Sequence, residues 1–224
     1  NNKLDTSTSI TISARVDQFV SYLTKSAAKD QLSVLQNSTD DIWRTLKNIS
    51  AEIGRDFNSR YKISVTAAYA ERMPSSSELY GFYLFNAFDN YDYIGSTILN
   101  TEQAYKADIS LQYNSPKIQI SLTPFAAKVS NYIFGVYQPS FTAMTIGARG
   151  VKSYENIPYA YMAGIEAGFI YGASHDIQFI STFKYNYGED NSGSPLPLIA
   201  PIRIVTSIRK QLKHLAIQVD VEGA

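Results

Sequence analysis

The chain of 224 residues has no cysteine, one tryptophan and two histidines, and its longest apolar runs fall well short of the roughly 18 to 20 residues of a transmembrane helix. The missing cysteine removes disulfides and thiolate chemistry, and agrees with an oxidising envelope without requiring one. Neither sign of charge is in excess. Lys plus Arg number 20 and Asp plus Glu number 20, so the balance gives no argument for nucleic acid as a partner. The opening Asn1-Asn2-Lys3-Leu4 is no signal peptide, and if the protein is exported its signal is expected outside this chain. His175 and His214 fall at expected turns, without the spacing of a metal site, and read as polar turn residues. No Ser/His/Asp constellation can be built from them. Met73, Met144 and Met162 could suggest soft-metal capture, but they sit in unrelated segments and read as loop packing or lumen filling. Gly147 and Gly150, with no phosphate loop before them, read as loop flexibility. The expectation is a non-enzymatic chain with no catalytic residue, cofactor or metal site.

What is present is tyrosine, 17 residues of it, mostly at the ends of period-two segments. Residues 105–113 place Tyr105, Ala107, Ile109, Leu111 and Tyr113 on one face and Lys106, Asp108, Ser110 and Gln112 on the other. Eight rises of about 3.3 Å on a strand tilted by roughly 40° project to about 20 Å, near the roughly 25 Å apolar band that aromatic girdles flank in membrane barrels. Tyr61, Ile63, Val65, Ala67 and Tyr69 repeat the frame, opposite Lys62, Ser64, Thr66 and Ala68. Half of each such strand is polar because it faces a lumen, so a hydrophobic content of 45% separates a soluble protein from a barrel no better than chance.

Period-two alternation gives about nine strands. Beside the two tyrosine frames they run at about Ser9 to Tyr22, Leu46 to Phe57, Lys117 to Ile133, Tyr159 to Tyr171, Asp176 to Tyr187, Ile202 to Arg209 and His214 to Glu222. Pro124 interrupts the fifth strand in chain order and predicts a bulge or a change of frame there. The connections alternate. Asn58-Ser59-Arg60, Asn114-Ser115-Pro116, Gly172 to His175 and Lys210 to Lys213 are short; 23–45, 73–101, 134–157 and 188–201 are long. Outer-membrane barrels have this asymmetry, with short periplasmic turns and long extracellular loops, whereas sandwiches scatter loop lengths over both ends.

The motifs on this frame carry a family resemblance. Arg72-Met73-Pro74-Ser75-Ser76-Ser77-Glu78-Leu79-Tyr80 resembles the R-x-P-s-x-x-E-L-y signature of TonB-dependent outer-membrane receptors. Leu99 to Glu102, followed by 108–113, is similar to that family's L-x-x-E strand, and Asn131-Tyr132-Ile133 to its n-Y-I element. Ala14 to Asp17 resembles its R-x-D strand, and Pro197 to Pro201 its proline-flanked strand entry. The aromatic, Asn/Asp-rich insertion from Phe82 to Gly95 is similar to receptors of the Bacteroidetes. The resemblance implies an all-β fold: about nine strands of a partial transmembrane, antiparallel, up-and-down barrel of 22 strands. Residues 1–224 are then one segment of that barrel, with the plug domain and the barrel ends outside the chain. It further implies TonB-dependent uptake of a scarce nutrient such as a siderophore, cobalamin, a metal or a glycan. The partners implied are outer-membrane lipid, a small-molecule cargo and the inner-membrane TonB machinery acting through the plug, in a Gram-negative outer membrane. Two other readings stay open: a passive porin-like barrel, and a soluble β-sandwich binding module.

One loop combines rigid aromatic faces with short polar groups, a mixture suited to ligand capture. In it, Phe82, Tyr83, Phe85, Tyr91 and Tyr93 are the candidate contacts and Asp89 and Asp92 the candidate polar anchors. The same rings could instead give the loop a small core of its own. Arg72 and Glu78 are expected to pair at the barrel mouth.

Overall fold

In a lipid-facing wall no water is available to the backbone, so every amide and carbonyl must find its partner inside the sheet. The computed structural model, which describes residues 2–3, 7–35, 38–174, 176–197, 199–213 and 215–223, is one long meander whose interior strands are paired on both sides. Its elements are β1 (Asn2–Lys3), β2 (Thr8–Ser21), α1 (Ser26–Val34), β3 (Ile42–Asp56), β4 (Tyr61–Arg72), α2 (Ser76–Tyr80), β5 (Leu84–Asn86), β6 (Tyr91–Ile94), β7 (Glu102–Asn114), β8 (Ile118–Tyr137), β9 (Val151–Gly172), β10 (Ile177–Asp190), β11 (Arg203–Gln211) and β12 (Ala216–Gly223). Neighbours follow chain order through β1-β2-β3-β4-β7-β8-β9-β10-β11-β12, all antiparallel. Only β5 and β6 leave this path: they pair with each other, and β6 lies parallel to β9. The long strands are those expected from alternation. Among the described residues no helix is long and apolar enough to cross a membrane.

Register explains the tyrosine frames. Tyr61 faces Tyr113 and Tyr69 faces Tyr105, with ring centroids 4.9 and 5.0 Å apart, so each aromatic level is a packed cross-strand pair. Between them lie Ile63 with Leu111, Val65 with Ile109 and Ala67 with Ala107. This face leaves Ile12, Ile53, Val65, Ile109, Phe169, Ile208 and Val219 exposed along the sheet. Alanines occupy one level across five strands, Ala51–Ala67–Ala107–Ala126–Ala163. With Tyr69, Tyr105 and Tyr161 above them, they sink a furrow of about 760 Å³ into the outer wall.

The structure corrects the sequence reading in particular places. Pro124 produces neither bulge nor frame change: β8 and β9 keep one register from Ile118↔Tyr171 to Tyr137↔Lys152, and β7 and β8 keep theirs on both sides of the proline. Proline lacks a donor, so the ladder loses a bond there without gaining a residue. The expected loop 134–157 is much shorter, because β8 runs on to Tyr137 and β9 starts at Val151. The expected loop 23–45 contains α1 and the start of β3, and 73–101 contains α2 and the β5–β6 hairpin. His175, His214 and Leu198, the last within the proline-flanked motif, lie outside the described residues.

Candidate functional site

The motif residues converge on one rim at the long-loop end. Alternation puts the even residues of β4, β7 and β9 on the polar face, so Arg72, Glu102, Lys152, Tyr154 and Asn156 stand on the same side as Lys62, Lys106 and Glu166. The Arg72 guanidinium donates two bonds to Glu78, at 2.9 and 3.1 Å, and a third to Glu102 at 2.6 Å. Glu102 in turn accepts the Ile133 amide at 2.8 Å. Ser75 and Glu78 close the first turn of α2 as a capping box: the Ser75 hydroxyl accepts the Glu78 amide, and the Glu78 carboxylate accepts the Ser75 amide at 2.7 Å. Burial opposes ionisation of Glu78, but the bonds from Arg72 and Ser75 outweigh it and hold the carboxyl below the usual carboxylate range. Beneath these charges Leu79, Leu99, Ile133 and Ile42 form a buried cluster, with Met73, Tyr80 and Tyr154 packed on it.

The n-Y-I element has its own local cause. Asn131 adopts a left-handed conformation, φ 53°, opposite Pro158, where the β8–β9 ladder skips one pair. Asparagine tolerates that region better than other side-chain-bearing residues, and the Asn156 side chain donates to the Asn131 carbonyl at 2.6 Å. Asn156 also accepts the Asn100 amide at 2.7 Å, tying the returning end of the loop to β9.

On this base the β5–β6 hairpin folds over the polar face. Asp89 accepts Lys152 at 2.7 Å and the Tyr93 hydroxyl at 2.8 Å, and the Lys152 ammonium lies 4.3 Å from the centre of the Tyr91 ring. Burial disfavours the Asp89 charge, but Lys152 and Tyr93 more than compensate and depress its pKa. Tyr93 packs on Tyr154 at 4.9 Å and against Gly135 of β8, where an added Cβ would come within 2.4 Å of the ring. Glycine is therefore required at 135 for the ring to lie on the strand. Asp92 is fully buried; its Oδ2 accepts the amides of Met144 and Thr145 at 2.8 and 2.9 Å. Its own amide bonds the Gly150 carbonyl at 3.0 Å, and the Arg149 amide bonds the Asn90 carbonyl at 2.7 Å. Burial raises the pKa of Asp92, and the bonds from Thr145 and Met144 reverse that and lower it. The hairpin and the loop 138–150 are thus fastened backbone to carboxylate.

A sequence profile described as "TonB dependent receptor-like, beta-barrel" matches residues 1–211. The chain belongs to the TonB-dependent receptor β-barrel family. Solved structures share the fold at low identity. The copper transporter OprC superposes with TM-score 0.73 at 17% identity, covering 96% of this chain and 31% of its own. The siderophore receptor PirA from Acinetobacter baumannii gives 0.66 at 17%, covering 98% and 31%, and the FrpB iron transporter from Neisseria meningitidis (F3-3 variant) gives 0.60 at 14%, covering 96% and 30%. The chain therefore spans about a third of the length of these proteins.

As part of a TonB-dependent receptor barrel, whose family resides in the Gram-negative outer membrane, the polar face is the lumenal wall and the loop assembly stands at its mouth. The seven sequence candidates divide into two groups there. Asp92 and Tyr93 are buried, while Asp89 and Tyr91 are half-buried in the Lys152 cluster. Phe82 and Tyr83 meet edge to face at 5.2 Å and are half-buried, and Phe85 is open at 43% exposure. Phe88, at 84%, is the more exposed ring, and Met144 and Ile146 on the fastened loop are open as well. The role of Lys152, Asn156 and the loop 138–150 was not visible in the sequence, because their partners lie some fifty or more positions away. Among the three methionines, Met73 packs on the rim cluster, Met144 is exposed in its loop, and Met162 stands on the lumenal face of β9.

Proposed function

We propose that this chain is barrel wall and capture rim of an outer-membrane receptor that takes up a scarce nutrient with energy delivered by TonB. The observation that carries the reading is the β5–β6 hairpin, held on the lumenal side of the mouth by Asp89, Asp92 and Tyr93 while Phe85 and Phe88 stay open. A rigid frame presenting open rings is what a binding surface needs, since little ordering entropy remains to be lost when cargo arrives. In this reading Phe82, Tyr83 and Phe85 touch cargo, and Asp89, Tyr91, Asp92 and Tyr93 contribute by holding the hairpin. The cargo class includes siderophores, cobalamin, metal ions and glycans. TonB acts through a plug domain, and the protein makes no covalent change to what it carries.

The test separates frame from surface. Replacing Phe82, Tyr83 and Phe85 by serine in the whole receptor, with Asp89, Asp92 and Tyr93 kept, should weaken cargo binding and leave surface abundance unchanged. Binding is measured on cells without an energised inner membrane, so that it is read apart from uptake. Undiminished affinity in a receptor present at the surface in normal amount would make the loop a structural lid.

A further inference from the structure

At the short-turn end the wall carries Arg55, Arg60, Lys117, Lys210 and Lys213, all exposed and none in an ion pair among the described residues. Among the described residues, Asp56 and Asp176 are the acidic residues beside them. Two of the five stand on the apolar, outward face. Arg55 is in register with Ile63, and Lys210 with Ile177. The Arg55 guanidinium bends toward the turn and lies 5.5 Å from the centre of the Phe57 ring. A long basic side chain rooted in an apolar row and turned toward the membrane edge places its stem against lipid tails and its charge among headgroups. The other end differs. Its outward face sets Glu71, Glu155 and Glu189 beside Lys47 and Lys128; Tyr69 and Tyr187 donate to Glu71 and Glu189, and Lys128 lies over the Tyr159 and Tyr161 rings.

We propose that the short-turn rim is a docking surface for anionic phospholipid headgroups of the leaflet it faces, with Arg55 and Lys210 contacting phosphate from the wall and Arg60, Lys117 and Lys213 from the turns. The chemistry is attraction of unpaired cations to a negatively charged lipid surface, which weakens as salt screens it. The outward placement of Arg55 and Lys210 assigns the rim to lipid rather than to a protein, because a periplasmic protein reaches the turns but not an apolar row inside the bilayer. This reading needs only the barrel assignment and is independent of what the loops capture.

The test uses the whole receptor in phosphatidylcholine bilayers containing a minor fraction of phosphatidylglycerol, with spin-labelled forms of each lipid reporting how strongly the protein retains them. Wild type should hold phosphatidylglycerol several-fold over phosphatidylcholine, and the preference should shrink as salt is raised. The combined Arg55→Gln, Arg60→Gln, Lys117→Gln, Lys210→Gln and Lys213→Gln variant should lose a measurable part of that preference. Lys47→Gln with Lys128→Gln, at the other end, should keep the wild-type preference. Heat-modifiable gel mobility checks that each variant is folded. Equal retention of the two lipids by wild type, or a preference unchanged in the five-site variant, overturns the proposal. So does loss of the preference in the two-site variant. Equal lipid retention together with wild-type binding of an acidic peptide that the five-site variant loses would give the rim to a protein partner instead.

Discussion

Ile109 and Ser110 are adjacent in the chain and face different solvents. Ile109 is 46% exposed on the apolar face, and Ser110 faces the lumen, where its hydroxyl lies 3.4 Å from that of Thr123. An arginine at Ile109, or at Ile165 on the same face of β9, is expected to cost about 2 to 4 kcal/mol near the bilayer midplane, while Ser110→Arg is expected to be nearly neutral. Folding of the whole receptor into lipid vesicles, followed by denaturant titration, measures all three; equal costs at Ile109 and Ser110 would contradict the wall assignment. These assignments were legible from alternation alone, because a strand has only two faces and a one-residue slip would exchange them. The roles of Arg72 and Glu78 were legible for a related reason. Six residues apart and bracketing a proline and a capping serine, they could only meet at a strand-to-helix turn. The fastening of the candidate anchor Asp92 was not legible, since nothing local marks a carboxylate whose partners, the Met144 and Thr145 amides, follow more than fifty positions later in the chain.

Elements at the mouth are fastened by carboxylates, and that gives them a pH dependence. Glu78, Asp89 and Asp92 all have pKa values lowered in the folded protein. A depressed carboxylate contributes stability that is present above its unfolded value, near 4, and is lost as pH falls through the lower folded value. The hairpin and the loop 138–150 should therefore stay protected from amide exchange between about pH 7 and about pH 5 and open below about pH 4, before the barrel strands exchange. Simultaneous exchange of hairpin and strands would deny the carboxylates this local role. Loss of the Ser75 cap by Ser75→Ala should cost about 1 kcal/mol, read as easier proteolysis after Arg72. The short helices and the hairpin were hidden in the sequence. The five residues of α2 are too few for a helical period to emerge, and β6 is four residues whose partner strand follows fifty-odd positions later.

For the molecule as a whole, the order of the strands was legible and the depth of the loops was not. A meander follows from sequential strands joined by short turns, while strand extension past the membrane depends on what the loops pack against. The apolar outer face, with Val219 and Val221 exposed on β12 at the sheet's end, predicts that the isolated polypeptide of 224 residues will be oligomeric or insoluble in plain buffer and dispersed by detergent. Sedimentation in the two media checks it, and a soluble monomer without detergent would contradict a lipid-facing outer wall. The fastening of the hairpin to the loop 138–150 also bears on how such receptors can be recombined. Grafting either segment alone into a relative would bring the Asp92 carboxylate to a loop without its matching amides, or the Met144 and Thr145 amides to a hairpin without its acid. The two segments form a single heritable module, so chimeras and natural recombinants that keep a working mouth should carry both from the same parent.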